Sequence, residues 1–297
     1  AILDFYSNIS VSSLQKSLTA VFDKRSCKAL THSLAQSKAD LARLKAVATP
    51  GARTMLTAPT TCSKLTLNNF EFLVMIRLML GVTPVGQQHM PTTCACKQLV
   101  DGEEVSVDHL FTCAKANRLG FKASHNMVRD ILADRCREVG YVVDPEHRFE
   151  QFDLQPELVV SDFSARQYLV EVAVVMPSAA SYNGPASREA LAAAERRDAD
   201  KRRKYQVLAQ TLGSEMCPFV VERFGGLAKS AEELLNQLEV QPRRAAAPLP
   251  DGFTAHQYLR TSIAKAIHVG NAELVRLALM KSRAYKLQRA LQVDAFN

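Results

Sequence analysis

The 297-residue sequence has no apolar stretch long enough to cross a bilayer, and its opening, AILDFYSNISVSSLQKSL, lacks the basic start and apolar centre of a secretory signal. Nothing in it directs the chain across a membrane. A disulfide framework is missing too: seven cysteines are an odd number, spread through a long chain, and fit a reducing compartment better than an oxidising one. There is no internal repeat. The bias that keeps a chain disordered is absent, since 47% of residues are hydrophobic and 23% charged, so disorder is expected only in short linkers. An initiator Met is also lacking, and a chain that begins at Ala1 suggests a segment of a longer polypeptide.

What is present is enough length to bury a sizeable core in one large domain or two to three smaller ones. Lys and Arg number 37 against 30 Asp and Glu, a net charge of +7 that favours polyanionic partners where it is clustered. Residues 9–48 contain neither Gly nor Pro and space Leu, Val and Ala helically, predicting one or two helices. NNFEFLVMIRLMLG (68–81) predicts a short buried helix stopped by Gly81. A loop with Pro84 and Pro91 follows. SHNMVRDILADRCREVG (124–140) predicts a helix capped by Ser124 and closed by Gly140.

The stretches 141–144, 156–162 and 167–175 are rich in β-branched and aromatic residues and predict three strands. A long helix over 185–213, a strand over 217–226 and a helix over 228–240 come next. QPRRAAAPLPDG (241–252) reads as a linker, and residues 254–297 as a basic helical appendage. The order is helix, three strands, helix, strand: an α/β (α+β) fold.

Two constellations carry chemistry. Cys94, Cys96, His109 and Cys113 form C-x-C-x12-H-x3-C, four zinc-type ligands within twenty positions, with His109 and Cys113 on one helix face in HLFTC. Four protein ligands make a structural rather than a catalytic site. The alternative leaves the cysteines as small hydrophobes and His109 exposed.

In LVEVAVV, alternation puts Val170, Val172 and Val174 on one face and Glu171, Ala173 and Val175 on the other. A carboxylate in an apolar strand needs a cation, a hydrogen-bond donor or solvent. Glu157 precedes Glu171 by thirteen intervening residues, a spacing that lets a hairpin set the two side by side, where Mg²⁺ would relieve their repulsion. The next helix offers Lys201, Arg202, Arg203 and Lys204. Two carboxylates and a lysine can hold Mg²⁺ on a phosphodiester and steady its developing charge. The alternative is a solvated edge strand and a basic helix paired with Asp198 and Asp200.

The order C-x-C…H-x3-C, HNMVRDIL, PELVV, LVEVAVVMP and KRRKY resembles the C-terminal region of site-specific non-LTR retrotransposon polyproteins, in which a zinc-knuckle precedes a restriction-like endonuclease. LTLNNFEFLVMIRLMLGV is similar to the helix before the knuckle, and the resemblance spans roughly residues 50–230. The family motif is Pro-Asp, a dozen or so residues, a second acid, then Lys-x-x-Lys-Tyr. It implies Glu157 and Glu171 as metal-binding acids and Lys201 as the catalytic lysine, with Arg202, Arg203, Lys204 and Tyr205 on nucleic acid. Glu157 stands where the family usually has Asp, Ala173 where many nucleases of this fold have Lys, and SHN where Arg-His-Asn is usual.

The resemblance further implies a helical region over 1–88 after an absent reverse transcriptase, a zinc-knuckle over 89–123, a restriction-endonuclease-like core over 124–240, a linker over 241–252 and basic helices over 253–297. The expected activity is Mg²⁺-dependent nicking of target DNA in the nucleus to prime reverse transcription, with structural zinc, catalytic magnesium, and DNA and element RNA as partners. The alternative is a zinc-stabilised binding module that no longer cuts. Lys265, Arg276, Lys281, Arg283, Lys286 and Arg289 either bind nucleic acid or form a solvated helix face, and charge patterning favours the second.

Overall fold

A computed structural model describes residues 11–86, 90, 96, 106–242 and 248–294, the side chains of 11–18, 21, 114–121 and 281–294 excepted. The predicted helical start forms α1 (Val11–Ser33) and α2 (Lys38–Val47), the latter capped by Ser37, whose side chain accepts from the Asp40 amide. A single turn, α3 (Thr54–Thr57), leads to α4 (Asn69–Leu80). Asn68 and Glu71 close a reciprocal capping box at its start, and Gly81, at φ 74°, takes the left-handed conformation that ends it.

After α5 (Val107–Thr112) comes α6 (Ala114–Glu138). This helix corrects the expected boundary, because Ser124 lies in its middle and caps nothing. Ser124 is fully buried where a later helix crosses: a Cβ added to Gly270 would lie 2.4 Å from the Ser124 Cβ. That close approach, which Gly270 permits, keeps the backbone helical through a residue whose local preference is to start one.

The three predicted strands are β1 (Val142–Pro145), β2 (Leu158–Ser161) and β3 (Gln167–Val175). A one-turn helix α7 (Asn183–Ala186) precedes α8 (Ala192–Leu212), which stops at left-handed Gly213 as expected but starts seven residues later than its sequence suggests. Next are β4 (Glu215–Glu222), α9 (Lys229–Val240) and α10 (Ala255–Asp294).

The strands form one mixed sheet in the order β1-β2-β3-β4, with β1/β2 and β2/β3 antiparallel and β3/β4 parallel, joined through α8. Both faces are covered. Leu158, Val160, Val170, Val172 and Phe219 pack with Leu132 of α6, Leu235 of α9 and Ile267 of α10. On the opposite face, Val159, Leu169 and Met216 meet Tyr205 and Leu208 of α8, while Ala173, Val175 and Val220 meet Ala193 and Ala194. The predicted alternation along β3 is the observed one.

The C-terminal helices are no appendage. One forty-residue helix, α10, contributes Leu259, Ile263 and Ile267 to the sheet core and Leu274 and Val275 to a second core with Met75 and Leu78 of α4. Among its basic residues, Lys265 donates to the Lys64 carbonyl at 2.6 Å, and Arg276 pairs with Glu273 at 2.8 Å and lies over the Phe70 ring. Lys281, Arg283, Lys286 and Arg289 have side chains outside the described residues. No helix among the described residues is long and apolar enough to cross a membrane.

Candidate active site and metal centre

β3 is an interior strand, so the edge-strand alternative for Glu171 fails: the residue pairs with Pro218 of β4 and is 3% exposed. The β2/β3 register pairs Leu158 with Val170, which sets Glu157, one residue earlier, opposite Glu171. The Glu157 amide donates to Glu171 Oε2 at 3.3 Å. The hairpin spacing thus brings the two acids together as expected.

Each carboxylate already has a side-chain partner. Lys201 Nζ of α8 lies 2.6 Å from Glu171 Oε1, and His125 Nε2 of α6 lies 3.0 Å from Glu157 Oε1. Tyr205, one turn beyond Lys201, sets its hydroxyl 3.0 Å from Glu171 Oε1 and 3.2 Å from the Gln155 carbonyl. A hydroxyl has one proton, so it serves these two acceptors in turn.

Burial alone would raise the Glu157 pKa, but the His125 hydrogen bond and the charges of His125, Arg129 and Lys201 outweigh it and hold the carboxyl below its ordinary 4.5. Burial would likewise lower His125, yet the bond to Glu157 and that carboxylate's charge leave its pKa above 6.5. Tyr205 is pushed well above an ordinary phenol by burial and the Glu171 charge, so it stays a donor.

Tyr205 corrects the sequence reading, which puts it on nucleic acid: at 1% exposure it is a core residue supporting Glu171. Arg202 also turns from the site, donating to Asp198 at 2.7 Å and to the Met216 carbonyl at 2.8 Å. Arg203 is exposed beside Asp200, and Lys204 donates to the Tyr205 hydroxyl at 3.3 Å. The pairing of this helix with Asp198 and Asp200 is therefore present, and it coexists with the Lys201–Glu171 contact.

Glu157 borders an open cleft of about 800 Å³, with Glu171 buried behind it; the cleft walls include His125 and Arg129 of α6, Arg197 and Lys201 of α8, and Ala173 of β3. Sequence reasoning misses His125, Arg129 and Arg197. Their signal is helical spacing: 125 and 129 share one stripe of α6, and 197 and 201 share one of α8.

Beside the cleft, Cys96, His109 and Cys113 form a group that can hold a metal ion, their ligand atoms all within 4.8 Å of one another. Cys96 Sγ is 3.3 Å from His109 Nε2, near the separation of about 3.6 Å that tetrahedral zinc imposes on a thiolate and an imidazole. Ser106 caps α5 by accepting from the His109 amide at 3.1 Å, and the Cys113 amide donates to the His109 carbonyl at 2.9 Å, so one short helix presents both ligands. Cys94, the fourth expected ligand, lies outside the described residues. Phe111 and Thr112, between the two α5 ligands, line the cleft wall. The metal group and the paired acids are thus neighbours in the fold.

No family model matches the chain, and no curated protein matches it.

Proposed function

We propose that this chain is a metal-dependent DNA endonuclease with a restriction-endonuclease-like core, nicking target DNA to prime reverse transcription, as in the retrotransposon polyproteins it resembles. The observation that carries the reading is the convergence of Glu157, Glu171 and Lys201, from two strands and a helix, at the edge of one cleft. Mg²⁺ takes one or two carboxylates and keeps several waters, so a pair of acids beside an open cleft is a sufficient protein share. Bound there, it would supply Lewis acidity to the scissile phosphate and lower the pKa of a bound water.

The chain's own groups do the rest. Lys201 is placed to offset charge developing on the phosphate, from α8 rather than from position 173, where Ala173 stands. Tyr205 and the Glu157 amide fix the Glu171 carboxylate, so its orientation does not have to be found during the reaction. His125 holds Glu157, whose extra methylene relative to Asp would otherwise leave its carboxylate free to swing.

Nicking of supercoiled plasmid tests this: relaxed circles are expected with Mg²⁺ and none with a chelator. Salt-sensitive binding without nicking in any divalent metal would replace the enzyme by the binding module. A specific observation favours that second reading, for both acids are already paired with side chains of the chain itself, Glu157 with His125 and Glu171 with Lys201, before any metal arrives.

The neighbouring Cys–His group is assigned to structural zinc. Purified protein is expected to carry about one zinc per chain by elemental analysis, absent from His109→Ala. Protein that purifies without zinc removes the assignment.

A further inference from the structure

The cleft is lined by five Lys and Arg side chains but only two acids, Glu146 and Glu157, with Glu171 buried behind them. Most of the cations are committed. Arg129 is held by Asp130 and Glu146, Lys201 by Glu171, and Arg223 is buried with its guanidinium bonded to Asn271 at 2.9 Å. Lys122 and Arg197 differ. Neither has a hydrogen-bond or ion-pair partner among the described residues; Lys122 is exposed and Arg197 half-buried on the facing wall.

An unpaired cation in a concave wall is a standing attraction for a polyanion, stronger than on a convex surface because the walls displace water. Placement gives this attraction a direction. On α6, Lys122 lies one turn before His125 and two before Arg129; on α8, Arg197 lies one turn before Lys201. Four residues of helix advance about 6 Å, and one DNA strand advances about 3.4 Å per nucleotide along the duplex axis. A strand with one phosphate at Lys201 therefore carries a neighbouring phosphate within about two nucleotides, in reach of Arg197.

We infer that Lys122 and Arg197 form a two-walled clamp on the phosphodiester backbone of DNA, flanking the phosphate that faces Glu157 and Glu171. The clamp replaces Arg202 and Arg203 in gripping the backbone, since those two turn off the cleft: successive residues rotate about 100° around a helix, so 202 and 203 leave the stripe on which 197 and 201 stand. The inference rests on the proposed nucleic-acid reading, but not on catalysis.

The test is fluorescence anisotropy of a labelled DNA duplex across a salt series in chelator, for the full chain and for Lys122→Ala, Arg197→Ala and the double variant. Each single substitution removes one phosphate-neutralising cation and is expected to reduce the slope of log K against log salt by about 0.9, and the double variant by about 1.8. Lys229→Ala, at an exposed position of α9 off the cleft, keeps the original slope, and unchanged circular dichroism and melting show that the variants are folded. Unchanged slopes in both cleft variants, or a slope reduced in Arg203→Ala instead, overturn the clamp and leave the nuclease reading to the nicking assay. Reduced slopes in a protein that never nicks keep the clamp and remove the catalysis. A wild-type chain that binds no DNA removes both. An RNA duplex of equal length is run alongside, and binding of RNA alone overturns the assignment to DNA.

Discussion

Glu171→Gln is expected to lower nicking by roughly 10²–10⁴-fold while leaving the protein folded, the range seen when one positioned charge or proton-transfer group is removed from an active site. That corresponds to about 3–5 kcal/mol of transition-state stabilisation. Glutamine is the informative replacement because it keeps the shape and one acceptor for Lys201 and Tyr205, both of which reach the same carboxylate oxygen. Either replacement removes the counter-charge of the Lys201 ammonium, only 13% exposed, but alanine also removes its acceptor, and breaking a buried pair so completely costs about 3–5 kcal/mol of stability. A dead alanine variant would therefore report unfolding as readily as lost chemistry. In the glutamine variant DNA binding is expected to hold or tighten, since one negative charge leaves the cleft. Initial nicking rates, with the melting temperature as a fold check, decide it: a variant within tenfold of wild type removes Glu171 from the metal site.

Why Glu171 is visible from sequence, and His125 is not, follows from the two kinds of periodicity. β3 is nine residues rich in β-branched and aromatic side chains, its alternation fixes the Glu171 face, and the tight turn after Ser161 makes the β2/β3 pairing local enough to read by counting. The facing helix misleads at its start. Taking Ser124 as a cap places His125 at a helix end, whereas burial of Ser124 against Gly270, 146 positions away, runs α6 straight through it and turns 122, 125 and 129 into a stripe. No local signal reports so distant a contact. The KRRKY segment misleads differently: treated as one basic run it offers four cations and a tyrosine to nucleic acid, but a helix disperses consecutive residues around its axis. Only Lys201 of the run faces the site from above, and Tyr205 supports it from within the core. In α10, closely spaced basic residues mask an apolar stripe of Leu259, Ile263, Ile267 and Leu274 that is fully buried.

Two buried ionisable groups that do not line the cleft should give the protein opposing pH dependences that nearly cancel. Glu222, at the end of β4, is fully buried, and burial, opposed by the Ala194 amide and reinforced by the Glu195 charge, lifts its pKa from 4.5 to about 7. His268 of α10 is buried with both ring nitrogens unpartnered among the described residues, and burial lowers its pKa from 6.5 to about 4. Between about pH 4.5 and 7 the folded state holds a proton on Glu222 that the unfolded state has released, so this group's stabilisation, complete below 4.5, is lost as pH rises through 7. Between about pH 6.5 and 4 the unfolded chain protonates His268 and the folded one does not, so that group's stabilisation, complete above 6.5, is lost as pH falls through 4. Each effect amounts to about 3 kcal/mol over its window, and the windows overlap with opposite sign. Removing one group therefore exposes the other. In Glu222→Gln, stability relative to wild type should rise with pH by about 1.4 kcal/mol per unit between about pH 5 and 6.5, ending about 3 kcal/mol higher at about pH 8. In His268→Leu, the relative stability should fall with pH by the same slope over the same range. Because each variant is compared with wild type, contributions from groups left in place, His125 and Glu157 among them, drop out. Urea unfolding at half-unit steps from about pH 4.5 to 8 measures both slopes. Relative stabilities that stay flat with pH in both variants would mean that the two groups titrate alike in the folded and unfolded chain, and would overturn the prediction.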